Sequence, residues 1–125
     1  MSRCLFAGGG GLFQLKVLWL EGQATGDRNR LTKARKGYSD RKMIFQAALI
    51  SLEEAAMAVR EGELQEAREL LDVAGPVLAA LGVVKDSLAA MILGLDVTRR
   101  EELERAEAIL LGFVKEARSH RPADG

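Results

Sequence analysis

Apolar residues fall three and four apart along nearly the whole chain, the spacing that lines one side of an α-helix. Leu12, Leu15, Leu18, Trp19 and Gly22 predict a first helix over residues 12–25. Gly26-Asp27 marks a turn, and Leu31, Ala34 and Tyr38 place a partner helix over 28–38 or a little beyond, with Gly37 weakening its end. Residues 43–60 predict a helix that is apolar on almost every face, interrupted by Gln46, Ser51, Glu53, Glu54 and Arg60. That composition suits an element covered on two sides. Glu61-Gly62 turns the chain, since Gly62 can take positive φ after a helix. The next helix starts near Glu63, where Glu63 and Glu66 suit the positive end of the dipole, and it extends to about Leu81. Pro76 has no amide donor and clashes with the preceding turn, so it kinks or splits this element. After Gly82 a helix is predicted over 84–97. Thr98 and Glu101 then fit a capping box that starts the last helix near Arg99, running to about Arg118. β-branched residues are few and scattered, so no strand is predicted.

The pattern also repeats on a larger scale. Leu31-Ala34-Tyr38, Leu64-Ala67-Leu71 and Leu103-Ala106-Leu110 share one internal spacing, at intervals of 33 and 39 residues. Upstream, Trp19, Leu52 and Met91 form a second column, and Gly22, Ala55 and Gly94 a third. A period near 34 marks helical hairpins too thin to bury an apolar face alone, which gain stability by stacking.

On these residues the segment 12–118 resembles tetratricopeptide repeats, where a small residue late in one helix and an alanine early in the next let the pair cross closely. Glu61 to Leu71 is the best single match, and the chain is similar to the terminal repeats of long bacterial arrays. The resemblance implies an all-α fold, a right-handed stack of three antiparallel helix pairs forming an α-solenoid. Residues 1–11 would be a flexible lead and 119–125 a frayed tail. The chain departs from the family where Trp19 precedes Gly22 by three residues instead of four, where Glu54 replaces a Leu, and where Pro76 comes early.

Composition narrows the function. Hydrophobic residues at 48% and charged residues at 29% describe a globular chain, and no apolar run is long enough to span a membrane. A cytoplasmic location is the default expectation, since the short Cys4–Ala7 run makes no signal peptide. Cys4 and His120 are single representatives of their kinds, so disulfides, metal centres and most acid–base schemes lack their residues. Gly8 to Gly11 lacks the Lys-Ser or Lys-Thr of a phosphate loop. Glu53 and Glu54 diverge by about 100° on a helix, so they form no acid–base pair. Neither an enzyme nor a cofactor is expected.

What remains is protein binding, as a scaffold that holds a partner protein or peptide of unspecified identity in a concave groove. In such a stack the first helix of each pair lines the groove. That places Lys16, Trp19 and Gln23 there from the first pair, Gln46, Glu53 and Arg60 from the second, and Met91 and Arg99 from the third. Trp19 is expected to be partly exposed, as an aromatic anchor. The second reading is a regulatory or oligomerisation fragment of a larger bacterial DNA-associated or signalling protein. A third comes from charge: residues 1–43 carry nine Lys/Arg against three Asp/Glu, a net +6, and residues 44–125 carry nine against fifteen, a net −6. Such asymmetry fits self-association, a solvated outer helix or a nucleic-acid face over 28–42. Nucleic acid fits least, because the cations fall on both flanks of the helix and Tyr38 is committed to the core.

Overall fold

The structure is a computed structural model that describes residues 2–119, with side chains from residue 11 onward. The tail from His120, including Pro122, lies outside the described residues. The described chain is helical throughout: α1 Ser2–Thr25, α2 Arg28–Asp40, α3 Ile44–Arg60, α4 Leu64–Val73, α5 Gly75–Ala80, α6 Lys85–Leu93 and α7 Arg100–Ser119. Pro76 divides the fourth predicted helix into α4 and α5, sitting in the first turn of α5 where its missing donor is not needed. The α1 backbone continues back to Ser2 instead of starting at Leu12. Glycine weakens a helix yet keeps its amide donor, so Gly8–Gly11 does not break one as proline would.

The core is built around α3. From Ala47 to Ala56 every residue is buried, because α2, α4 and α7 all pack along it. Cover on two sides was expected, and α7 adds a third. The Leu-Ala-Leu columns point inward as predicted, with Leu31, Ala34, Ala67, Leu71, Ala106 and Leu110 all buried. Gly22 also does what its column requires. A Cβ there would stand 2.8 Å from Leu31 Cδ2 and 3.2 Å from the Leu31 backbone nitrogen, so only glycine lets α1 and α2 approach this closely.

The third pair differs from expectation. Its first helix is short, ending at Leu93 instead of residue 97, and it packs chiefly on α4, while α7 packs chiefly on α3. Gly94 is exposed, and a Cβ on it would meet only carbonyls of its own helix. The expected capping box is replaced by a turn organised by Asp96. Its carboxylate accepts from both the Thr98 amide and hydroxyl, and Glu102, not Glu101, reaches back to the Asp96 amide. The first carbonyl to accept within the helix is that of Arg99, so Thr98 stands one residue before the cap position and not at it.

Gly37 does not end α2, which runs on to Asp40. A Cβ on Gly37 would stand 2.3 Å from Leu15 Cδ2, so this glycine serves the α1–α2 contact. The helix stops instead through bonds from Lys42 to the Ser39 carbonyl and from Met43 to the Tyr38 carbonyl, with Lys42 at φ 63°. Gly62 and Gly82 close α3 and α5 with the same bonding pattern and positive φ. Lys42 thus holds a left-handed conformation that its Cβ disfavours. Lys42→Gly is expected to raise stability by about 0.5–1 kcal/mol, read as an upward shift in the urea midpoint. A fall would show that the lysine side chain does more than tolerate the turn.

Candidate functional site

The residues expected to share a groove separate into three groups. Trp19, Gln23 and Glu53 come together with Lys16 over the indole, Arg60 lies one face-repeat further along α3, and Gln46, Met91 and Arg99 stand elsewhere. The centre is Glu53, which α3 presents to the junction of α1 and α7. Its carboxylate accepts from the Trp19 indole nitrogen at 2.5 Å, from Gln23 Nε2 at 2.5 Å and from Arg118 Nη2 at 3.2 Å. One carboxylate therefore joins the first helix, the central helix and the last. Burial pushes the Glu53 carboxyl above its ordinary pKa, opposed by the hydrogen bonds from Trp19 and Gln23 and by the Arg118 charge.

Trp19 is not the partly exposed anchor expected of it. It is 3% exposed, packed edge-on against Tyr38 with ring centroids 5.7 Å apart. The Arg118 guanidinium lies 5.1 Å from its ring centre and the Lys16 ammonium 5.2 Å. Trp19 is covered because α7 returns to α3 and lays Arg118 over the indole, a contact between residues far apart in sequence. The apolar excess of α3 was the signal available: a helix with no solvated face needs a third neighbour, and its carboxylates need partners.

Beside this junction a cleft of about 420 Å³ opens between the α1–α2 turn, α3 and α7. Met57 and Leu111 supply apolar surface over buried Ala56, with Gln23, Glu53, Arg60, Glu61 and Glu107 around them. Arg60 and Glu107 face each other across it at 3.6 Å, and Leu111 is 43% exposed. Gln23, Glu53 and Arg60 of the expected set thus share one concavity, to which sequence reasoning did not assign Met57, Glu107 or Leu111. Gln46 lies two turns before Glu53 on α3, outside the cleft. Met91 is half-buried beside Leu95 and Ile109, and Arg99 is exposed in the α6–α7 turn near Glu102.

No family model, curated protein or solved structure matches the chain.

The charge asymmetry has an internal use. Arg35 pairs with Glu54, which also accepts from Thr32, and Glu54 is 2% exposed. Arg28 reaches Glu66 and Glu61, the latter at 3.3 Å, and Arg30 lies 3.4 Å from Glu21 and 3.5 Å from Asp27. The Arg28 guanidinium holds the Glu66 carboxyl below its usual range. Basic α2 is thus fitted to acidic residues on α3 and α4, which leaves Lys33, Lys36, Arg41 and Lys42 as the exposed cations of segment 28–42. Among the described residues, no helix is long and apolar enough to cross a membrane.

Proposed function

We propose that the protein is a cytoplasmic protein-interaction module, a helical scaffold, tetratricopeptide-like in its first pairs and closed by the return of α7 to α3, that holds a segment of a partner protein in the cleft between α1, α3 and α7. The observation that carries this reading is the make-up of the cleft: exposed apolar Leu111 and half-buried Met57 beside Gln23, Arg60 and Glu107. An apolar centre with a polar rim is the composition of protein-binding surfaces. The close α1–α2 crossing at Gly22 supports the tetratricopeptide likeness for the first pair. Binding in this reading involves no reaction step and no cofactor.

A photo-crosslinking residue at position 111 tests it in cells, with a second at exposed Ser87 as control. A species captured from position 111 alone would be identified, purified and titrated. Leu111→Glu is then expected to weaken its binding at least about tenfold without moving the melting midpoint. Equal capture from both positions, or unchanged affinity, would remove the cleft from consideration.

A further inference from the structure

Helix α1 has two apolar faces, and the fold uses one. Leu15, Trp19 and Gly22 are buried against the rest of the chain. On nearly the opposite side Phe13, Val17, Leu20 and Ala24 follow one another at steps of four, three and four residues, the spacing of a coiled-coil seam. Phe13 is 70% exposed and Leu20 50%, and Val17 between them is half-buried. Single exposed apolar residues are ordinary on a protein surface, but a contiguous stripe in heptad register marks an association face.

The flanks indicate what covers it. With Val17 and Ala24 at a positions and Phe13 and Leu20 at d positions, Lys16 takes a g position and Glu21 the e position five residues later. These are the sites that meet across a parallel two-stranded seam and set partner choice through charge. In two parallel copies of α1, each Lys16 faces the Glu21 of the other, giving two unlike-charge contacts. Within one chain Lys16 rests over Trp19, while Glu21 lies 3.4 Å from Arg30 and accepts the Thr25 hydroxyl on its carbonyl. Lys16 and Glu21 are both exposed, so each can turn to a partner. We propose that the α1 stripe pairs in parallel with the same stripe of a second copy of this chain, forming a two-fold dimer with the two domains on opposite sides of the seam. The stripe and the α1–α3–α7 cleft occupy different surfaces, so dimerisation and cleft binding succeed or fail independently.

Light scattering over a roughly hundredfold range of protein concentration provides the test. The full chain is expected to show a monomer–dimer equilibrium. Leu20→Glu puts a charge into the seam and is expected to weaken it at least about tenfold. Phe13→Glu serves as a second disruption should Leu20→Glu lower the melting midpoint. Lys16→Glu and Glu21→Lys should each weaken the dimer by placing like charges across the seam. An equimolar mixture of these two variants should restore it, since both contacts in the mixed pair are then of unlike charge. A wild-type chain monomeric throughout, or a dimer indifferent to both seam substitutions, overturns the proposal. A mixture that associates no more tightly than its components overturns the parallel register.

Discussion

Trp19→Ala is expected to cost about 3–5 kcal/mol of folding stability, the range for removing a buried tryptophan. The indole fills the space between α1, α2 and α7, with Tyr38 on its edge and Arg118 over its face. Its loss opens a cavity bounded by helices that cannot close on it without moving α7 off α3. Urea unfolding followed by circular dichroism measures the cost, and indole fluorescence of the native protein should be that of a water-excluded ring. A loss below about 1 kcal/mol would mean that the junction is open in solution and that Trp19 is available to a partner.

Glu53→Ala is expected to destabilise by about 3 kcal/mol, because the Trp19 nitrogen, Gln23 and Arg118 lose a shared, desolvated acceptor. Trp19 and Glu53 touch, so the double variant should lose less than the sum of the two. The acidity of Glu53 adds a signature of its own. Burial raises its pKa in the folded protein, so the folded state holds the proton more tightly than the unfolded chain. The stability it contributes is complete below the unfolded carboxyl's pKa and is lost as pH rises through the raised, folded value. Glu66, held low by Arg28, and Asp96, held low by Thr98, act in the opposite sense and lose their contribution as pH falls. Comparing wild type with Glu53→Gln cancels those other groups. The stability of wild type relative to Glu53→Gln should therefore be greater near about pH 4 than near about pH 7. A gap that widens toward neutral pH would show Arg118 and the hydrogen bonds outweighing burial.

Most of the helices were legible in the sequence because their causes are local. Spacing of three and four, turn glycines and Pro76 act within one or two turns, and they fixed α2 through α5 to within a few residues. The Leu-Ala-Leu columns identified inward faces for the same reason. What failed was long-range. Nothing near Trp19 records that residue 118 will lie over its ring, and nothing near residue 94 records that α7 leaves α6 to pack along α3. The net charge of each half was visible, yet its meaning depended on Arg28 and Arg35 reaching carboxylates 19 to 38 residues away. Lys42 was hidden differently, since its left-handed turn is usually announced by glycine or asparagine. The cleft was half legible: the polar stripe of α3 supplied Glu53 and Arg60, while the facing wall comes from α7 and could not be assigned before its docking was known.

The return of α7 to α3 bears on how the chain is made. A linear array can complete each unit as it leaves the ribosome, since every unit needs only its neighbour. Here the central helix ends at Arg60, but the segment that covers its remaining side ends at Ser119. At about 5–20 residues per second, that side waits roughly 3–12 seconds for its cover. For that interval the face of α3 that α7 covers in the folded chain is without its cover, open to water and to other chains.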